Sequence, residues 1–139
     1  MRLYHHITWK EISAFEHKKS FTEEDGIHVY SEDEFREGGP YAEEAVSSRY
    51  VMQELPIKLN PKSVSKQDTN PAASNGVSLM AWSYDSRYLA TKNDNTPNCV
   101  YLWDMATLKQ YALLIHLHPV RHFEWSPSSI HLAITTNSA

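Results

Sequence analysis

"VYLWDMATLKQYALLIH", residues Val100–His116, has a second version at the start of the same chain, "MRLYHHITWKEISAFEH", residues Met1–His17. The two align without a gap. Leu3 falls on Leu102, Tyr4 on Trp103, Thr8 on Thr107, Lys10 on Lys109 and His17 on His116. Trp9, Ile12 and Phe15 fall on Leu108, Tyr111 and Leu114, apolar on apolar. Each version reads as an aromatic closing a short strand, a polar turn, a second strand and then a histidine. A different pair of segments matches further on. "VSLMAWSYDSRYLAT", Val77–Thr91, falls on "VRHFEWSPSSIHLAI", Val120–Ile134, 43 residues later. A fixed period near that length is the signature of a repeat architecture.

Within one period the sequence predicts four strands: Val77–Trp82, Tyr88–Lys92, Cys99–Trp103 and Gln110–Ile115. They are apolar, aromatic or β-branched, and the breaks between them ("SYDSR", "NDNTPN", "DMATLK") carry turn residues. Val120–Trp125 and His131–Thr135 begin the next unit. One four-stranded sheet has two apolar faces and cannot cover both. Stacking like sheets around an axis covers them, which is the logic of a β-propeller.

The period breaks between His17 and Val77. Nine of the chain's seventeen carboxylates fall between Glu23 and Glu44. Two strands, Ile27–Tyr30 and Tyr50–Leu59, are expected there. Gly38-Gly39-Pro40 and the stretch from Asn60 to Gly76 read as loops. The sequence therefore divides into the back half of a blade (1–17), an acidic insertion (18–76), a complete blade (77–116) and the front half of the next (117–139). Two open blades would leave apolar faces and strand edges uncovered, an aggregation hazard.

Composition narrows the classes. The chain of 139 residues is 41% apolar and 22% charged, which suits a globular domain rather than a disordered one. A net charge of −4 gives no basic field for nucleic acid. Cys99 is the single cysteine, so no intrachain disulfide can form and nothing suggests secretion. No apolar run is long enough to span a bilayer or to serve as a signal peptide core, so a cytoplasmic setting is the default expectation.

These residues resemble WD40 repeats. "WSYDS" stands where the family has its "FSPDG" turn, "LAT" where it has "LAS", and Trp103-Asp104 is the signature pair. "LATKNDNTPNCVYLWD" followed by "PVRHFEWSP" is similar to the centrosomal and spindle-pole family of WD-repeat proteins, the Wdr-eight type. The opening "HHITWKEISAFEH" and "IHVYSE" resemble that family's preceding blade and insertion. The resemblance implies an all-β, partial WD40 propeller of about two blades of four-stranded antiparallel sheet, with the acidic insertion as a long loop. It also implies a buried structural network for which Thr91, Asp94 and Trp103 supply three positions and His17 the fourth. In the following blade His116 fits, but Ile134 replaces the hydroxyl residue.

Antiparallel strands put the Asn93–Asn98 turn at the same end of the sheet as His17, the insertion and His118–Arg121. Asn93, Asn95, Asn98, His118 and Arg121 are the candidate partner-binding edge, since loops carry function. Trp82, Trp103, Trp125 and Tyr101 read as core aromatics. The eight histidines lack the cysteine or carboxylate company of a zinc site, and "NDNTPN" lacks the glycine and distal glutamate of a calcium loop. No nucleophile elbow, phosphate loop or dinucleotide fingerprint occurs, so neither enzyme activity nor a cofactor is expected. The resemblance implies a non-enzymatic scaffold for microtubule minus-end anchoring and spindle organisation at centrosomes or spindle poles. The partners it implies are a coiled-coil centrosomal anchoring protein and, in some lineages, a minus-end kinesin. No nucleic acid, membrane or small-molecule substrate is expected. The rival expectations are a general WD adaptor, such as a ubiquitin-ligase substrate receptor, or a truncated product without independent function. The acidic insertion is expected to steer a basic partner through Glu32, Asp33 and Glu34.

Overall fold

The computed structural model describes residues 1–37, 45–59 and 76–137. Twelve strands occur among them: β1 (Arg2–Tyr4), β2 (Glu11–Ala14), β3 (Ser20–Phe21), β4 (His28–Glu37), β5 (Ala45–Gln53), β6 (Ile57–Lys58), β7 (Val77–Trp82), β8 (Tyr88–Asn93), β9 (Cys99–Asp104), β10 (Lys109–Ile115), β11 (Val120–Trp125) and β12 (Leu132–Thr136). A single turn of 3-10 helix, Glu23–Asp25, follows β3. Asp25 accepts from the Thr22 N–H at 2.8 Å, and Gly26 leaves the turn at φ 61°, a left-handed value that suits glycine. The loops expected at Gly38–Pro40 and Asn60–Asn75 lie outside the described residues.

Strands β7 to β10 form an antiparallel meander in chain order. This is one propeller blade. Hairpin β1–β2 lies on one face of it and hairpin β11–β12 on the other. The repeats seen in the sequence are repeats of backbone geometry. In β1–β2, Leu3 pairs with Ser13 and Tyr4 with Glu11; 99 residues on, Leu102 pairs with Ala112 and Trp103 with Gln110. Both hairpins skip the same residue, Ile12 in one and Tyr111 in the other. Their turns also match, with Trp9 at φ 53° and Leu108 at φ 54°. Hairpins β7–β8 and β11–β12 correspond in the same way: Trp82 pairs with Leu89 and Trp125 with Leu132, down to a bulge after Val77 and after Val120.

The insertion does more than loop out. Its expected strand Ile27–Tyr30 runs on to Glu37, and the strand expected at Tyr50–Leu59 is split, its start being the end of β5 (Ala45–Gln53) and Ile57–Lys58 forming β6. The physical reason is pairing. β4 lies parallel to β10, with Ala112 opposite His28 and Ile115 opposite Ser31. β5 then folds back along the full length of β4, from Val29 opposite Gln53 to Glu37 opposite Ala45. The blade thus becomes a six-stranded sheet whose outer edge strand belongs to the insertion. Residues after Gln53 turn back to place β6 beside β3.

The blade's two faces carry separate cores. Leu89, Cys99, Tyr101, Trp103 and Leu113 pack with Phe15, Phe21, Ile27, Val29 and Leu59. Ala90 and Val100 pack with Val120 and Phe123 on the other side. Trp82, expected in the core, is 45% exposed, and Met80 beside it 56%. Phe15, Met1 and Leu3 of the β1–β2 region pack against the first core.

Candidate functional site

On the first face three of the four expected network residues, Trp103, Thr91 and His17, converge, while Asp94 bonds elsewhere as well, to Ser78. Trp103 Nε1 donates to the Thr91 hydroxyl at 2.8 Å, and that oxygen lies 2.8 Å from His17 Nε2. Thr91 and Trp103 are fully buried. Burial pushes the His17 imidazole down to about 4, aided by the Met1 ammonium and opposed by a hydrogen bond to the Phe15 carbonyl. A neutral ring fixes the direction of the chain: Trp103 donates to Thr91, Thr91 donates to Nε2, and the other ring nitrogen donates to Phe15. The ring also sits edge-on to Tyr101 at 4.6 Å and to Trp103 at 5.3 Å. Tyr101 in turn donates to the Lys18 carbonyl at 3.1 Å, tying the blade to the start of the insertion. Asp94 accepts from Ser78 Oγ at 2.6 Å and lies 3.7 Å from Lys92. Asp104 takes a two-pronged contact from Arg87, at 2.7 and 2.9 Å, which holds its carboxyl below the usual range.

At the other end of β10 the structure adds a clamp that the sequence did not announce. β4 runs past the end of β10, so Glu32 arrives beside the linker to the next hairpin. Its carboxylate accepts from the Leu117 N–H at 3.1 Å and from Ser48 Oγ at 2.8 Å, and lies 3.9 Å from His116 Nδ1. Burial acts to raise the Glu32 carboxyl, but the Leu117 and Ser48 hydrogen bonds and the neighbouring His116 and His118 outweigh it and leave it low. Tyr50 Oη lies 2.6 Å from His116 Nδ1. His116 is 2% exposed, and its Nε2 has no hydrogen-bond partner among the described residues. Glu32 is therefore a structural tether and not one of three free steering charges; Asp33 and Glu34 stay exposed.

The expected edge is assembled as follows. Asn98 and His116 exchange hydrogen bonds, His116 N–H to the Asn98 carbonyl at 2.8 Å and Asn98 Nδ2 to the His116 carbonyl at 3.0 Å. Val120 N–H reaches the Pro97 carbonyl at 2.9 Å. Asn93 accepts from the Asn95 N–H at 2.9 Å, an Asx turn. Asn98 and Asn93 thus hold the turn and the linker together. His118 and Arg121 are exposed on the same end, with Arg121 donating to Asn137. Among the described residues no group of three His, Cys, Asp or Glu side chains converges on a metal position, and no helix is long and apolar enough to cross a membrane.

The second face holds an apolar groove of about 570 Å³ between β9–β10 and hairpin β11–β12, lined by Tyr50, Leu102, Tyr111, Leu114, Trp125 and Ile134 among others. Trp125 bridges its inner end by donating to the Ala81 carbonyl at 3.0 Å. The groove was invisible to sequence reading because its walls come from the insertion, the blade and the next hairpin.

The chain is similar over its whole length to the WD repeat-containing protein WRAP73 of mouse, with 33% identity over 155 aligned positions. The likeness to a WD-repeat protein thus runs along the whole chain. It spans about a third of that relative's length (32%). An uncharacterized WD repeat-containing protein of fission yeast, C32H8.09, is 32% identical over 58 residues, covering 42% of this chain and 12% of that protein. No family model and no solved structure matches. In WD-repeat terms β7–β10 has the four-stranded meander of a blade, enlarged at its outer edge by β4–β5, with a two-stranded hairpin on either face.

Proposed function

We propose that this chain serves a non-enzymatic scaffold that holds partner proteins, working in microtubule minus-end anchoring and spindle organisation at the centrosome or spindle pole. The observation that carries this reading is the similarity along the whole chain to a WD-repeat protein, joined to the residues that resemble the centrosomal family. The partners that fit are a coiled-coil centrosomal anchoring protein and a minus-end kinesin, bound by surface complementarity with no bond made or broken. The rigid end of the blade supports this. The Asn93–Asn98 turn, the His116–Val120 linker and the Glu32 tether fix one another through the hydrogen bonds above, so His118, Arg121 and Asn95 are presented on a preorganised surface.

The test is to tag the protein at its own locus and image dividing cells, then capture partners by cross-linking. The expected result is a focal signal at spindle poles and a coiled-coil protein among the captured partners, lost when His118→Glu and Asn95→Arg are combined without a change in melting temperature. A diffuse signal with ubiquitin-ligase subunits captured instead would sink the centrosomal reading in favour of a general adaptor.

A further inference from the structure

The turns of hairpins β7–β8 and β11–β12 are two versions of one structure, built on "WSYDSRY" (Trp82–Tyr88) and "WSPSSIH" (Trp125–His131). Both close on the same backbone bond, Ser83 N–H to the Tyr88 carbonyl and Ser126 N–H to the His131 carbonyl, each at 2.8 Å. Inside the loop they differ. In the first a carboxylate organises the turn. Asp85 accepts from the Ser83 hydroxyl at 2.7 Å and from the Arg87 N–H at 3.1 Å, and these bonds hold it below the usual carboxylate range. Ser86 then rounds the corner at φ 58°. In the second turn the place of Asp85 falls to Ser128. The donors of the first turn have counterparts there, Ser126 for Ser83 and the Ile130 N–H for the Arg87 N–H, but the anion does not.

Hydroxyls hold the second turn instead. Ser126 Oγ accepts from Ser129 Oγ at 2.9 Å and from the Ser128 N–H at 3.4 Å, and Ser129 Oγ lies 2.7 Å from His131 Nδ1. We infer that Ser128 is a phosphorylation site, and that phosphoserine there takes the part Asp85 plays in the first turn. In the reaction Ser128 Oγ attacks the γ-phosphorus of ATP held by a protein kinase. The Oγ–P bond forms as the bond to the β-phosphate oxygen breaks, ADP leaves, and the hydroxyl proton passes to the kinase's base.

Access, reach and charge select this serine. Ser126 and Ser129 are half-buried with their hydroxyls engaged, whereas Ser128 is exposed and uses only its N–H. The phosphate oxygens stand one bond further from Cβ than the oxygens of an aspartate, so they reach the same donors, and the Ser129 hydroxyl as well. From Met105 to Ala139 Glu124 is the only carboxylate, so a dianion at Ser128 meets little like charge. Ile130 stands where Arg87 flanks Asp85, so hydrogen bonds rather than an ion pair within the turn hold the phosphate. The turn lies at the opposite end of the sheet from Asn93–Asn98, and the inference does not rest on the partner-binding reading of that edge.

The experiment maps phosphate by mass spectrometry on the protein isolated from dividing and from resting cells, with phosphatases inhibited. The expected result is phosphate on Ser128 in at least one of the two states. Phosphate on Ser126 or Ser129 alone, or none on this turn in either state, would overturn the assignment. A second measurement tests what the anion does. Ser128→Asp puts the carboxylate of the first turn into the second, and should slow hydrogen exchange of the Ile130 amide roughly two- to tenfold relative to Ser128→Ala, the worth of about one hydrogen bond. Equal exchange in the two variants would show that an anion at this position organises nothing, and the inference would fail on that count.

Discussion

His17 and His116 occupy the same place in successive repeats, yet their surroundings differ. His17 sits at the centre of a hydrogen-bonded chain through Thr91 to Trp103, all within one blade and its neighbour. His116 has an isoleucine in the threonine's place, and its ring is held from outside the repeat, by Tyr50 of the insertion. The difference teaches that a repeat position is a geometric slot. What fills its hydrogen bonds can come from the repeat itself or from an inserted segment. The first route buries the network; the second leaves His116 Nε2 without a partner among the described residues.

The largest expected effect comes from the centre of the complete blade. Trp103→Ala removes a buried ring that packs on Phe15 at 5.0 Å and should cost about 3–5 kcal/mol, read as a fall in denaturant midpoint. Trp125→Ala, in the half-covered groove, should cost clearly less. Equal losses would break the comparison, because they would mean the second face is as well packed as the first. Next comes Thr91→Val, which keeps volume and removes the hydroxyl. It leaves the Trp103 indole and His17 Nε2 unpaired, at about 1–3 kcal/mol for each buried group. Ile134→Val, the matching change in the other half-blade, should cost about 0.5–1.5 kcal/mol, a packing loss alone.

Much of this contrast could be read before any coordinates. Trp103, Thr91 and His17 stand at fixed offsets, and offset is what a repeat conserves. The strands of the blade were legible for the same reason: their turns carry Asn, Asp, Pro and Ser at regular spacing. The insertion was not. Nothing local in "IHVYSEDEFRE" says that it pairs in parallel with β10, because the partner lies some 85 residues away and parallel pairing leaves no hairpin turn to read. Glu32 looked like one charge in an acidic run for the same reason. Its role depends on where β10 stops, which only the fold reveals. Trp82 read as core because the repeat makes that position core. Among the described residues it is left 45% exposed.

A third effect distinguishes the two histidines by titration. His17 ordinarily would take a proton near 6.5, and in the fold does so only near about 4, because burial disfavours the cation. Between those values the unfolded chain holds a proton that the folded chain refuses, so stability falls as pH drops from about 6.5 to about 4 and this group adds no further loss below. His116 is also lowered by burial, but Glu32 beside it pulls the other way. His17→Gln should therefore flatten the acid limb of the stability curve more than His116→Gln does. The reverse order would mean that Glu32 protects His116 less than its position 3.9 Å away implies.

A small effect is the sharpest test of how an insertion can stand in for a repeat. Tyr50→Phe deletes one oxygen from the clamp. Tyr50 is 48% exposed whereas Thr91 is fully buried, so the Tyr50 hydroxyl is the less enclosed of the two. Glu32 keeps its bonds to Leu117 and Ser48 without the phenol, so the linker to β11–β12 stays in place. The expected loss is about 0.5–1.5 kcal/mol, the net worth of an ordinary hydrogen bond. The amide of Leu117 should show unchanged hydrogen exchange. If Tyr50→Phe instead costs as much as Thr91→Val and frees the Leu117 amide, the phenol and the carboxylate act as one unit. The insertion would then be part of the blade's own network rather than a support added to its edge.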